Sequence, residues 1–210
     1  MKNRYVAVAI VLITTTILFF SGCRARRNRV PEIEKGVVIN GVRWAAYNVD
    51  SIGTFVNNPK NAGMLFQWNR LKAWSAGDEA AEDWDYSTPS GTEWETPNNP
   101  CPVGWRLPTG EELESLKKAD NEWTTLNGVY GRIFGTAPYQ LFLPAVGWRS
   151  GNDGVFDDFG TKGYYWSSEQ SDDESATYLW FNYEDIGVDW DWRGDGFSVR
   201  CVAEEVRYDN

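Results

Sequence analysis

Apolar and polar positions alternate with a period of two through the last third of the chain, most plainly from Gly163 to Ala203, GYYWSSEQSDDESATYLWFNYEDIGVDWDWRGDGFSVRCVA. Leu179 and Phe181 alternate with Tyr178, Trp180 and Asn182, and Phe197, Val199 and Cys201 alternate with Ser198, Arg200 and Val202. That is the pattern of strands with one buried face, so the stretch predicts three or four successive strands. One face makes a core. The other carries Trp180, Asn182, Glu184, Asp189 and Asp191, while Trp190 and Trp192 crowd the opposite parity.

Earlier in the chain the pattern is more broken. Val37 to Ile39 and Val42 to Ala45 are apolar runs around Asn40-Gly41, the dipeptide preferred where both turn residues need positive φ, which predicts a tight hairpin. Gly63 to Trp68 is a further apolar run and reads as a strand. From Ala73 to Pro100 no period is kept, and Ser, Thr, Gly, Pro and Asn mix with Trp74, Trp84 and Trp94, so a long loop pinned by its aromatics is expected. Thr109 stands three residues before Glu112, a capping box, and Leu113 and Leu116 follow at helical spacing. Strand character returns at Gly131 to Phe134 and Gln140 to Val146, before a glycine-rich turn from Ser150 to Lys162 with Asp153, Asp157 and Asp158.

The amino terminus has a different character. Met1 to Arg4 is basic, Val6 to Phe20 is an apolar run of about fifteen residues, shorter than the roughly twenty a membrane-spanning helix needs, and small residues precede Cys23. The layout is a secretory leader whose ending resembles the lipobox of bacterial lipoproteins. That resemblance implies cleavage before Cys23 and lipidation there. An uncleaved anchor and a plain signal peptide are the other arrangements, and all three put the domain outside the cytoplasm. The expected organisation is a signal peptide over 1–22, a lipidated cysteine and basic tether over 23–35, one domain over 36–203 and a polar tail over 204–210. The expected location is the cell envelope, held at the outer membrane by a lipid on Cys23.

Composition sharpens this picture in three ways. Every charged residue before Val30 is basic, six in all, so the remaining fourteen basic residues face all thirty acidic ones and the rest of the chain carries −16. So acidic a surface repels phosphate backbones, and nucleic acid is not an expected partner. Histidine is absent, which removes the usual general base, the usual zinc ligand and every Ser-His or Cys-His nucleophile arrangement. With Cys23 assigned, Cys101 and Cys201 remain, and in an oxidising compartment a lone pair is most simply a disulfide.

Six blocks in order, GVVINGVRWAAYNVD, AGMLFQWN, NPCPVGWRLPTGEEL, FLPAVGWRSG, GYYWSS and GFSVRCV, closely resemble the Fibrobacter succinogenes major paralogous domain over roughly Gly36 to Val202. That family is abundant in secreted and lipid-anchored proteins of Bacteroidetes. The resemblance implies a variant of the C-type-lectin fold, an α+β, β-rich domain with a twisted antiparallel sheet, few helices and long loops. It also implies that ligands meet the loops and strands just before the final FSVRCV strand.

The candidate chemistry is that of recognition. Aromatic rings supply contact area at little entropic cost, and carboxylates and amides supply direction. Trp180, Asn182, Glu184, Asp189, Trp190, Asp191, Trp192, Arg193 and Asp195 are the expected ligand-binding residues, facing a carbohydrate or a protein. Calcium wants six to eight oxygen ligands, but the Glu-Pro-Asn and Trp-Asn-Asp triplets of sugar-binding C-type lectins are missing, and no metal or other cofactor is expected. Arg193-Gly194-Asp195 reads as a turn into the last strand rather than an adhesion tripeptide. A binding or adhesion module without enzymatic activity is the leading expectation. A structural envelope lipoprotein without a dedicated ligand, in which the same rings pack inward, and a retroelement-diversified receptor are the alternatives.

Overall fold

The structure is a computed structural model and describes residues 36–77 and 81–204. The expected leader, the tether with Cys23, and positions 205–210 of the tail lie outside the described residues. Fifteen strands and one α-helix are described: β1 (Val37–Ile39), β2 (Val42–Trp44), β3 (Met64–Gln67), β4 (Ala73–Ser75), β5 (Trp105–Arg106), α1 (Gly110–Lys117), β6 (Asn121–Leu126), β7 (Val129–Phe134), β8 (Leu141–Pro144), β9 (Trp148–Arg149), β10 (Phe156–Asp157), β11 (Gly163–Gln170), β12 (Ser175–Phe181), β13 (Ile186–Trp192), β14 (Gly196–Ser198) and β15 (Val202–Ala203). The domain is β-rich and its sheets are open rather than closed into a barrel.

Local signals explain several of these elements. Asn40 and Gly41 both take positive φ, 49° and 85°, as a two-residue hairpin between right-twisted strands requires. Thr109 accepts a hydrogen bond from the Glu112 amide while the Glu112 carboxylate accepts one from the Thr109 amide, so two otherwise orphaned donors at the start of α1 are satisfied reciprocally. Arg106 ties the same carboxylate from β5 at 2.8 Å. Leu113 and Leu116, one turn apart on α1, are the residues that seat the helix in the core.

The first sheet, in the order β1-β2-β15-β5, joins the two ends of the described chain. Beside it, the disulfide between Cys101 and Cys201 closes a separation of 100 residues. A second sheet is the meander β6-β7-β8. In the central sheet β11, β12 and β13 pair antiparallel. β14 pairs along one edge with β3, antiparallel, and along the other with β9 at Gly196, antiparallel, and with β11 at Ser198, parallel.

Both faces of the central sheet are covered, where the alternation had predicted one. Tyr165, Leu179 and Phe181 pack with Leu113, Leu116, Phe134 and Leu141 under α1 and the meander. Trp166, Tyr178 and Phe197 pack with Phe66, Trp68, Trp94 and the disulfide beneath the loop that precedes β5. The polar parity of the last strand is consequently internal. Ser198 and Arg200 are buried, and the Arg200 guanidinium donates to Asn48 Oδ1 and to the carbonyls of Ala45 and Phe142. Burial pulls the Arg200 pKa down to about 10.

Trp74, Trp84 and Trp94 are buried and hold the long loop onto the domain. Two buried arginines also hold it. Arg149 donates to the carbonyls of Ser75, Gly77 and Gly154. Arg193 donates to those of Gly91, Asp172 and Ser175 and to Gln170 Oε1, and lies 4.5 Å over the Trp68 ring. Satisfied donors of this kind let a charged group be interior without the full desolvation cost.

Candidate functional site

Strand register fixes which late residues share a surface. Tyr164 pairs with Trp180 and Trp180 with Gly187, Trp166 with Tyr178 and Tyr178 with Asp189, and Ala176 with Asp191. Directly paired residues of antiparallel strands project to the same side. That side therefore carries Tyr164, Tyr178, Trp180, Asp189 and Asp191 together.

The inner part of this face belongs to the core and its margin is open. Tyr178 is stacked on Tyr164 at 6.0 Å between centroids, and Trp148 from β9 stands 6.0 Å from Tyr164 on the far side. Tyr164, Trp148 and Trp180 are half-buried, resting on the buried cluster below. The Trp180 indole lies across Gly187, where a Cβ would come within 2.6 Å of its Nε1. The glycine in the otherwise β-prone run IGVDW thus lets the ring lie down on the neighbouring strand.

Four carboxylates converge on the two phenols. The Tyr164 hydroxyl donates to Asp158 Oδ2 at 2.7 Å, and Lys162 Nζ reaches the same oxygen at 3.1 Å. Burial, then the hydrogen bond and charge of Asp158, with smaller contributions from Tyr178 and Asp191, push the Tyr164 pKa well above its ordinary value. Burial followed by the charges of Asp191, Asp189 and Asp195 does the same to Tyr178. Asp195 is 5% exposed and its Oδ1 accepts from the Gly151 amide at 2.7 Å. Burial and the adjacent Asp191 carboxylate push the Asp195 pKa up to about 7, against the opposing pull of that amide.

The nine residues expected from the sequence do not form one cluster. Trp180, Asp189, Asp191 and Asp195 come together on the face just described. Trp190 pairs with Thr177 on the opposite, helix-bearing side and is 61% exposed. Asn182 and Glu184 lie in the turn between β12 and β13, where Asn182 Oδ1 accepts the amides of Glu184 and Asp185 and so shapes the turn. Trp192 is half-buried, its ring against Gly151 and Gly194. Arg193 is 1% exposed with its guanidinium engaged by backbone oxygens, so it faces inward rather than out to a ligand. With Gly194 and Asp195 also buried, the tripeptide is a turn between β13 and β14 and not an exposed epitope.

Trp148 and Tyr164 were not among the nine. The signal for Tyr164 is its parity with Trp166 in GYYW. Trp148 joins only because β14, far along the chain, pairs with both β9 and β11. Asp158, noted in the sequence only as part of the glycine-rich turn, belongs to the face through its bond to Tyr164. Among the described residues no three acidic or cysteine side chains are grouped closely enough to hold a metal ion.

A cleft of about 650 Å³ lies elsewhere, lined by Ala45, Tyr47, Phe55, Val56, Val103 and Trp105 among others. It is apolar and touches none of the nine residues. With carboxylates and shifted pKa values concentrated on the sheet face, that face rather than the cleft is the candidate site.

Residues 123–202 match the model of a family described as a domain of unknown function, DUF8237. The match runs from β6 to β15 and includes the whole aromatic and acidic face. No curated protein and no solved structure matches the chain.

Proposed function

We propose that the protein is a binding module of the cell envelope, with a C-type-lectin-like domain carried on a lipid at Cys23, that recognises a carbohydrate or protein ligand without transforming it. The observation that carries the reading is the open margin of the central sheet, where Trp148, Tyr164 and Trp180 are half-exposed beside Asp158, Asp189 and Asp191. Rings with one face on the core and one toward solvent are rigid contact area. Carboxylates around them give orientation. The absence of histidine from the sequence favours recognition over catalysis.

The test is a glycan and protein array probed with the purified full chain and its W148A/W180A variant at equal concentration. The reading requires a ligand whose signal disappears in the variant while the melting temperature stays within a few degrees. Binding that survives both substitutions refutes it. If both rings are instead structural, the variant unfolds, with losses of roughly 3–5 kcal/mol for each ring as for core aromatics.

A further inference from the structure

Taken as a binding surface, the face is complementary to one kind of group, and we infer that it receives a primary alkylammonium, the terminal group of a lysine side chain on a protein partner. This inference rests on the proposed binding role and narrows it to a ligand chemistry.

Three observations point to that group. First, the two carboxylates on the open part of the face accept hydrogen bonds from backbone amides: Asp189 from Trp190 N at 2.9 Å and Asp191 from Trp192 N at 2.8 Å. Amides orient these groups and leave their negative charge for an incoming cation. Second, the rings beside them are electron-rich faces. A cation over tyrosine or tryptophan is attracted by the ring quadrupole, more strongly where water is partly excluded. Third, the chain supplies its own precedent, because the Lys162 ammonium sits at one corner of the face on the Asp158 oxygen that also accepts from Tyr164. A second ammonium beside Asp189 and Asp191 would repeat that arrangement on the side the chain leaves open.

The chemistry selects among cations. A divalent metal needs several oxygens around one point, whereas these carboxylates are distributed around rings and no metal-holding group is found among the described residues. A guanidinium seeks a coplanar two-oxygen fork. A primary ammonium has three rotatable donors on a flexible apolar stem, so the stem lies on Trp180 and Tyr164 while the donors reach separate carboxylates. The charge of −16 from Val30 onward adds long-range attraction for a basic partner.

The experiment follows the indole N–H resonances of the nitrogen-15-labelled full chain, with Trp148 and Trp180 assigned by tryptophan-to-phenylalanine variants. The probes are a capped Gly-Lys-Gly peptide, its Nε-acetyl-lysine counterpart and the corresponding norleucine peptide. The lysine peptide should shift Trp180 and Trp148 saturably, with the two neutral peptides at least about tenfold weaker. Asp189→Asn and Asp191→Asn should each weaken the lysine peptide severalfold, and raising salt from 50 to 500 mM should weaken it further. Equal shifts from the neutral peptides, or a lysine response confined to other indoles, overturn the inference. If the cationic preference fails while an array ligand still depends on Trp148 and Trp180, the ammonium assignment falls and the binding role stands. If no ligand of any class depends on those rings, both fall.

Discussion

Replacing Arg193 with methionine tests whether interior guanidinium groups hold the loops on this domain. The parent side chain reaches Gly91 O at 2.9 Å, Gln170 Oε1 at 2.7 Å, Ser175 O at 3.2 Å and the carbonyl of Asp172, and lies over Trp68. Hydrogen bonds to a charged group contribute about 1.5–3 kcal/mol each, and three of these are short, giving roughly 5–9 kcal/mol before offsets. Burial of the guanidinium opposes this, as its lowered pKa records, and methionine keeps much of the apolar contact with Trp68. A net loss of about 4 kcal/mol follows, a large share of the roughly 5–15 kcal/mol that holds a domain folded. Urea unfolding followed by tryptophan fluorescence measures the total. Hydrogen exchange locates it, because protection should fall first in residues 86–94 and 170–175, ahead of the central sheet. Arg193→Lys should recover less than half of the loss, since a point charge cannot reproduce a planar fork. A loss under about 1 kcal/mol for Arg193→Met, well below a single such bond, or unchanged exchange in both segments, would refute the reasoning.

Three further outcomes are expected. The C101A/C201A double variant should lose about 4–5 kcal/mol, from the loop-closure entropy of a 100-residue separation, when its urea midpoint is compared with the non-reduced parent. Asp195→Asn should flatten the pH dependence of stability: the carboxyl binds its proton up to about pH 7 in the folded chain but only to about pH 4 unfolded, so the parent loses stability as pH rises between those values. The asparagine variant should accordingly match the parent near pH 4 and exceed it at pH 8, while parallel melting profiles would rule the assignment out. Gly163→Ala places a Cβ 2.2 Å from Phe181 Cζ and should lower stability by about 1–3 kcal/mol as overpacking does, an expectation contradicted by an unchanged melting temperature.

The parts of the fold that were legible in the sequence are those decided by neighbours in the chain. Asn40-Gly41 and the Thr109–Glu112 box specify their turn and helix start with nothing else present. The alternation through Tyr178, Leu179 and Phe181 likewise gave the correct parity. What alternation does not state is whether the second face meets water or another layer. Ser198 and Arg200 read as a solvent side, yet the sheet is covered twice and they lie inside, satisfied by Asn48 and main-chain oxygens.

The candidate site divides in the same way. Trp180, Asp189 and Asp191 were found because parity within a hairpin is local. Asn182 and Glu184 were added by carrying that parity past Phe181, where the chain turns. Tyr164 was legible from its parity with Trp166, whereas Trp148 depends on β14 pairing with both β9 and β11, which no short stretch encodes. Arg193 followed a charged residue's usual preference for the surface, which the ring of carbonyls around it overrides.

What Arg149 and Arg193 grasp has a consequence for variation. Their partners are mainly peptide oxygens, at Ser75, Gly77, Gly91, Asp172 and Ser175, and every amino acid presents the same one. Anchorage is therefore blind to the side chains of the segments it secures. Gly91 is an exception, with φ at 110° and Asn69 Nδ2 2.6 Å from where a Cβ would stand. Elsewhere along those segments, outward-pointing residues are free to be exchanged while the path of the chain, and the frame it builds beside the tyrosines, stays the same.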